Sequence, residues 1–334
     1  MRLTFLAAAA SVFLLSAPSA FAQPPAPPAR PVRLYQGRRA PEQSDRVSRK
    51  IKLGRDGRVS IANISGEIVV SAGGGDEVTI DAVKHGDRGS LDRVRIAIDD
   101  RPGRVDISTD YGSWRFGSNN VSVDYMVTVP DSTMLDVKSV SGDVRVTGVK
   151  GSVRAQSVSG NISTNNAPGV EWAKTVSGNV DLTGVANDAD ISVQSVSGGV
   201  RANGLKARSL DVNTVSGEIT LQSATIERLN ARLVSGTFEY GGALVRNGRY
   251  QVTAHSGDVR FTVTDNPGFE LDATSFSGEI RSAMPLTIGG NGGVTVTRSR
   301  PRRGPGQSLN GTYGDGSARL ELRSFSGNIV ISKK

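Results

Sequence analysis

A short motif that ends in a Ser-Gly pair recurs through most of this 334-residue chain. Counting from the serine as position 0, successive copies lie 18 to 21 residues apart. A constant period near 20 residues is typical of solenoids, in which each repeat forms one coil and stacks on the next. The sequence therefore predicts an all-β, single-chain β-solenoid (β-helix) with coils of about 18–21 residues. The serines are Ser141, Ser159, Ser177, Ser197, Ser216, Ser235, Ser256 and Ser277.

The positions around this serine alternate between apolar and polar residues. Position +3 is apolar in each of these copies, from Val144 to Ile280, and position −4 is Val or Ala. Position −3, between two expected inward positions, is polar, as in Lys138 and Gln156. Alternation with a period of two predicts strands rather than helices.

Position −1 is also apolar in most copies, and we expect it to face the core. The inward phase would then slip by one residue at the motif, which predicts a corner where glycine supplies the backbone angles. On this interpretation His255, which occupies position −1 in its copy, is a core histidine. The set is Val140, Val158, Val176, Val196, Val215, Val234, His255 and Phe276.

The N-terminus is typical of an export signal. Residues 1–22 combine Arg2, an apolar run and Ala20-Phe21-Ala22, which together predict a secretory signal peptide. No later stretch is long and apolar enough to predict a transmembrane segment. We therefore expect a periplasmic, cell-surface or secreted protein, and the absence of cysteine means that no disulfide stabilises it.

The formal charge of +8 is concentrated near the predicted cleavage site. Residues 23–60 carry ten Lys or Arg against three acids, whereas residues 61–334 carry 29 of each sign. Residues 23–50 are predicted to form a Pro-rich basic linker. On an exported protein, such a segment indicates an anionic envelope polymer, a glycan or a surface protein as partner rather than nucleic acid.

Residues 51–334 are predicted to form one solenoid domain. An early copy of the motif lies at Ser65, and the next follows 76 residues later. Residues 76–130 read as alternating strands joined by turns, which predicts an antiparallel meander that caps the solenoid. Regular coils are expected over 131–334, with a loop insertion near 298–316.

Five segments, taken in order, resemble one known family. They are NISGEIVV, GDEVTIDAV, LDRVRIAID, VDYMVTVP leading into DVKSVSGDVRV, and GDGSARLELRSFSGNIVIS. Together they resemble the bacterial putative-adhesin domain of unknown function, over residues 51–334. The resemblance implies a β-solenoid, association with the envelope or export, and no assigned catalytic residues.

The common catalytic motifs are missing from the sequence. There is no GxSxG, no GxxxxGK[ST], no HExxH and no cysteine, and only two histidines occur. We therefore predict a non-catalytic adhesin or envelope-binding scaffold, without cofactor or metal. Two binding patches are candidates, an aromatic loop and a basic loop; their residues are Tyr111, Trp114, Arg115 and Phe116, and Arg298, Arg300, Arg302 and Arg303.

An enzyme remains the alternative, because polysaccharide lyases and hydrolases occur on β-helices. They need carboxylates grouped on one face. Asp258 and Glu279 hold position +2 in successive copies of the motif, each followed two residues later by arginine. We expect these two carboxylates to be neighbours that could hold a sugar or a cation.

Overall fold

A computed structural model describes residues 43–112, 121–264, 268–288, 294–296 and 306–334, all of which belong to one compact unit. The prediction of an all-β chain is confirmed, since the described residues form 26 strands and one short helix, α1 (Arg88–Leu91). The strands are β1 (Gln43–Lys52), β2 (Arg58–Ser65), β3 (Ile68–Gly73), β4 (Glu77–Gly86), β5 (Arg95–Arg101), β6 (Arg104–Asp110), β7 (Ser122–Pro130), β8 (Met134–Ser141), β9 (Val144–Thr147), β10 (Val153–Gln156), β11 (Ile162–Asn165), β12 (Val170–Ser177), β13 (Val180–Thr183), β14 (Asp190–Ser197), β15 (Val200–Asn203), β16 (Lys206–Ser216), β17 (Ile219–Ser235), β18 (Phe238–Ser256), β19 (Val259–Val263), β20 (Phe269–Ser277), β21 (Ile280–Ser282), β22 (Leu286–Ile288), β23 (Val294–Val296), β24 (Gln307–Tyr313), β25 (Ala318–Ser326) and β26 (Ile329–Lys333).

Most of these strands lie in two parallel ladders. Ladder A holds the segments that lead up to a Ser-Gly pair, and ladder B holds the segments that follow it. We call one passage through ladder A, the corner and ladder B a rung, as in β8 followed by β9. The rungs stack in register, so that Val137 lies beside Ala155 in ladder A and Val144 beside Ile162 in ladder B. The long strands β17 and β18 each end one rung and begin the next.

The order of the rungs in space departs from their order in the chain at both ends of the array. The rung β2/β3 pairs with β6 and β7 on one side and with β8 and β9 on the other. The last rung in the chain, β25/β26, lies between β18/β19 and β20/β21. Both of these rungs are therefore hydrogen-bonded on two sides.

Antiparallel strands complete the two ends of the array. At one end β4 pairs with β7 and β1, and β5 pairs with β6. At the other end β24 pairs with β20, and β22 pairs with β23 and β24. The exposed strand β1 is rich in Lys and Arg, which discourages pairing with a further chain.

A single hydrophobic core runs between the two ladders. Positions −4 and +3 of the rungs point into it, as Val193 and Val200 do in one rung, both at most 1% exposed. Burying one aliphatic side chain contributes about 1.5–3 kcal/mol, and the contribution repeats at each rung.

The prediction that position −1 faces the core is wrong. Val140 is 46% exposed and Val234 is 49% exposed, whereas position −2 is buried in these rungs. The reason is that the alternation of ladder A continues through position −1, so that the corner begins only at the serine. His255 is exposed as well, and it is not a core histidine.

The corner glycines stack directly on one another. A Cβ atom on Gly178 would lie 2.1 Å from the carbonyl oxygen of Gly160, and a Cβ on Gly198 would lie 2.0 Å from that of Gly178. Gly178 does not have a left-handed backbone conformation. At this corner it is the close approach of the neighbouring rung, rather than the backbone angle, that requires glycine.

The buried hydroxyl at position −2 completes the corner. Ser195 Oγ donates to the carbonyl oxygen of Gly178 at 3.0 Å, and Thr175 Oγ1 donates to that of Gly160 at 3.1 Å. Ser275 makes the same bond to Gly327 at 2.9 Å. The same bond to a carbonyl group of the adjacent rung forms from Ser157, Thr214 and Ser324, whereas Ser139 Oγ has no hydrogen-bond partner among the described residues.

We expect Gly178→Ala to lower the free energy of unfolding by about 3 kcal/mol, because the new methyl group overlaps a backbone carbonyl that has no room to move. Gly241→Ala is the matched control. A Cβ there meets its nearest atom, Leu221 O, at 3.6 Å, an ordinary contact. Urea unfolding of both variants measures the effect, and equal midpoints would contradict the stacking argument.

We expect Ser195→Ala to lower the free energy of unfolding by about 1–3 kcal/mol, because it leaves the Gly178 carbonyl without its hydroxyl donor. Ser195→Thr should retain most of the stability, since threonine occupies this position in other rungs. Urea unfolding again reports the difference. A threonine variant as unstable as the alanine variant would show that packing, and not the hydrogen bond, fixes this residue.

Deleting residues 318–334 should remove protection from hydrogen exchange in β20, which lies outside the deleted region. The deletion takes away a rung that is paired on both sides, and it separates β18/β19 from β20/β21. Deleting β1, which among the described strands pairs with β4 alone, is the control and should affect that neighbour alone. Full protection of β20 in the first deletion would refute the described rung order.

Candidate functional site

The structure places one residue of the predicted aromatic patch in the core. Tyr111 is 6% exposed, and its hydroxyl group lies 3.3 Å from the carbonyl oxygen of Ser65. Burial raises the pKa of this hydroxyl. Its ring packs inside and offers no surface to a ligand. The other residues of the two predicted patches lie outside the described residues, and their roles stay predictions; they are Trp114, Arg115, Phe116, Arg298, Arg300, Arg302 and Arg303.

The expectation that Asp258 and Glu279 are neighbours is wrong. The inserted last rung places Asn328 between them: Asp258 Oδ1 accepts from Asn328 N at 2.9 Å, and Asn328 Oδ1 accepts from Glu279 N at 3.0 Å. The two backbones are therefore two strand spacings apart, about 9.6 Å. Local spacing in the sequence could not show this, because the intervening residue comes from the end of the chain.

Each of the two carboxylates also pairs with its own arginine. Asp258 lies 3.5 Å from Arg260, and Glu279 lies 2.5 Å from Arg281. The hydrogen bond from Arg281 lowers the pKa of Glu279. A general acid in glycoside cleavage needs a raised pKa, so that it is protonated before it reacts. The environment of Glu279 instead favours the ionised carboxylate.

The described part of the chain contains neither a metal-binding cluster nor a helix that could span a membrane. No group of three or more His, Cys, Asp or Glu side chains there is arranged to hold a metal ion. None of its helices has the length and apolar character that crossing a membrane requires.

The exposed residues at position −1 form one continuous row, which we call the corner ridge. Because the Ser-Gly pairs stack in register, each member lies beside its equivalent in the next rung. Its aliphatic and phenylalanine members are between 40% and 51% exposed. Ten rungs at about 4.8 Å give the ridge a length of about 43 Å. In spatial order it contains Ile64, Val140, Val158, Val176, Val196, Val215, Val234, His255, Phe325 and Phe276.

An open groove of about 710 Å³, the corner groove, runs beside six rungs of this ridge. The ridge residues from Val196 to Phe276 form one wall, and buried position −2 residues such as Thr214 and Leu233 form the floor. The outward side chains at position −3 form the second wall, which is polar. They are Gln194, Asn213, Arg232, Thr253, Arg323 and Thr274.

One end of the corner groove is aromatic. The ring centroids of His255 and Phe325 are 5.1 Å apart, and those of Phe325 and Phe276 are 4.8 Å apart. In each pair the two ring planes differ by 4°. Phe325 belongs to the inserted last rung, so the stack contains residues that are far apart in the chain. The three parallel rings continue the apolar wall that valines form in the earlier rungs.

The charged side chains that line the corner groove are arginines. Among the residues that the structure describes, its lining includes Arg232 and Arg323 but no Asp or Glu. Arg323 pairs with Glu321, while Arg232 makes no ion pair with any residue that the structure describes. Its rung neighbours in ladder A, Asn213 and Thr253, are neutral. The groove thus combines an apolar wall with an unpaired cation.

Several solved structures are similar to this chain at low identity. They include a putative adhesin from Parabacteroides distasonis (14% identity, TM-score 0.43, 87% of this chain and 97% of that chain). A putative lipid binding protein from the same species is 12% identical (TM-score 0.39, with the same coverage). A putative cell adhesion protein from Clostridium sporogenes is 10% identical (TM-score 0.27, 87% of this chain and 100% of that chain).

At these TM-scores no site or ligand is transferred from those proteins to this one. No curated protein matches the sequence. The model of the Toastrack DUF4097 family matches residues 57–332. This range begins just before β2 and ends within β26, so it contains both ladders. The chain belongs to the Toastrack DUF4097 family.

Proposed function

We propose that this chain is a non-catalytic, exported β-solenoid that acts as an adhesin-like binding or scaffold protein of the cell envelope. The corner ridge is the observation that carries the proposal. Soluble proteins rarely expose long contiguous apolar surfaces, and those that occur mark sites of interaction. Here the row continues over ten rungs, with each apolar member at least 40% exposed.

The repetition of the surface favours binding over catalysis. Each rung presents nearly the same side chains at intervals of about 4.8 Å, which suits an extended partner. Catalysis instead depends on a unique group of residues with matched pKa values. The two carboxylates that supported the polysaccharide lyase or hydrolase alternative are separated by Asn328 and engaged by arginines.

The N-terminal sequence supports export and attraction to an anionic envelope. Residues 1–22 match the pattern of a secretory signal, and the ten basic residues of 23–60 outnumber the three acids there. Such a segment is attracted to anionic polymers or headgroups, and the attraction weakens as salt is added. The basic segment would supply electrostatic attraction, and the ridge would supply apolar contact.

Co-sedimentation with purified bacterial envelope fractions tests this function. The protein comprising residues 23–334 should sediment with the envelope, and part of this binding should persist at high salt because apolar contacts are not screened. Deleting residues 23–42, which removes four of the ten basic residues and leaves every described strand intact, should weaken the salt-sensitive part and leave the salt-resistant part unchanged.

A ridge variant completes the test. Replacing Val140, Val176 and Val215 together by serine should remove the salt-resistant part, because these side chains are 46% exposed and contribute to the surface more than to the core. Serine replacement of the outward residues Arg145, Arg201 and Thr220 in ladder B is the matched control. If no protein sediments with the envelope under either salt condition, the proposed function is wrong.

A further inference from the structure

The corner groove has the dimensions of a site for one extended hydrocarbon chain. It follows six rungs, so its length is about 24 Å. An acyl chain that fills one leaflet of a bilayer extends about 15 Å, half of the hydrocarbon thickness. The groove volume of about 710 Å³ also falls within the range of small-molecule sites.

The apolar wall offers continuous contact along that length. Val196, Val215 and Val234 are each between 46% and 49% exposed, and the wall continues with the stacked rings of His255, Phe325 and Phe276. A chain lying against this wall would cover the side chains of several rungs at once. Each methylene group that leaves water strengthens binding about fourfold, so affinity should rise steeply with chain length.

The polar wall selects the head group. Arg232 lines the groove, and among the described residues this lining contains no carboxylate and Arg232 makes no ion pair. A guanidinium group binds carboxylate or phosphate oxygens through paired hydrogen bonds. Asn213 and Thr253, beside Arg232 in the stack, can contribute further polar contacts. A cationic head would be repelled.

A second copy of the chain fits this surface less well. In a symmetric dimer the same patch is used by both partners, so two corner grooves facing each other would bring one arginine-containing wall towards the other. Like charges across an interface oppose association. The described lining, which is apolar on one wall and carries arginine on the other, instead complements a ligand that is both apolar and anionic.

We infer that the corner groove binds a single-chain anionic amphiphile, with the hydrocarbon against the corner ridge and the anionic head at Arg232. This inference rests on the proposed function, because it assigns a ligand class to part of the same ridge. In this mode a single amphiphile leaves the bilayer and lies in the groove, whereas attachment to a membrane surface would engage the headgroups of an intact bilayer.

Calorimetric titration of the protein comprising residues 23–334 with dodecanoate, below its aggregation concentration, tests the inference. Dodecanoate should bind saturably and at least tenfold more tightly than dodecyltrimethylammonium, which has the same chain length and the opposite charge. Decanoate, with two fewer methylene groups, should bind roughly 15-fold more weakly than dodecanoate.

Two variants separate the contributions of the walls. Arg232→Gln should weaken dodecanoate about tenfold or more and leave dodecyltrimethylammonium unweakened, because only the anionic head loses its partner. Val234→Ser combined with Phe325→Ser should weaken both amphiphiles. Lys174→Gln and Val158→Ser are matched controls, since they occupy positions −3 and −1 in rungs outside the groove and should change neither affinity.

Several outcomes would overturn the inference. They are the absence of saturable dodecanoate binding, equal affinity for both head groups, and equal weakening by the control variants. Binding to phosphatidylglycerol vesicles without binding to dodecanoate would assign the ridge to a membrane surface instead. A dimer in sedimentation velocity that Val234→Ser dissociates would assign the groove to a second copy.

The envelope experiment makes the two failures distinguishable. Envelope binding without dodecanoate binding would retain the proposed function and refute the amphiphile. Dodecanoate binding without envelope binding would retain the amphiphile and refute the envelope function.

Discussion

The close stacking of glycines at the corners is the constraint on which the rest of the structure depends. The distance from a Cβ on one glycine to the carbonyl oxygen of the previous one would be 2.1 Å at Gly178 and 2.0 Å at Gly198, so no other residue fits. The hydroxyl at position −2, as in Ser195, then satisfies the same carbonyl group. Two of the four residues in the recurring motif are thus explained by one feature of the backbone, and the motif is structural rather than catalytic.

The stacking of the corners does not fix the identity of the residue at position −1. Position −2 faces inward, so position −1 must point outward, because adjacent residues in a strand face opposite sides. Valine at this position is compatible with the strand, and histidine or phenylalanine can replace it, as His255 and Phe276 do. The same regularity that builds the core therefore produces a row of outward residues that can vary without disturbing the corner.

The sequence was sufficient for the features that repeat locally. The period near 20 residues and the apolar residues at −4 and +3, such as Val193 and Val200, predicted strands and an all-β chain, and both are present. The orientation of position −1 was mistaken because hydrophobicity was given more weight than alternation: if Val193 and Ser195 both face inward, Val196 cannot. Placing both −2 and −1 inward required the strand to slip by one residue between them; Ser195 is buried and Val196 is exposed, so the strand continues there without a slip.

The order of the rungs could not be read from local patterns. A sequence period shows that rungs stack, but not which rung lies beside which, since all of them offer similar strand edges. Insertion of β25/β26 between β18/β19 and β20/β21 separates Asp258 from Glu279, and it removes the geometric basis of the enzyme alternative. The exposed carboxylates then serve the stack, where Asp258 accepts from the backbone of Asn328.

The same insertion creates the aromatic end of the corner groove. Without it His255 and Phe276 would belong to adjacent rungs, and the wall would be one ring shorter; with it Phe325 lies between them at about one strand spacing from each. The last rung also brings Arg323 to the polar wall. Because this rung is hydrogen-bonded on both sides, its ring and its guanidinium group are held by paired strands rather than by a fraying terminus. The topology that closes the chain and the surface that is suited to a ligand therefore depend on the same seventeen residues of β25, the corner and β26 with the terminal residue, Ala318 to Lys334.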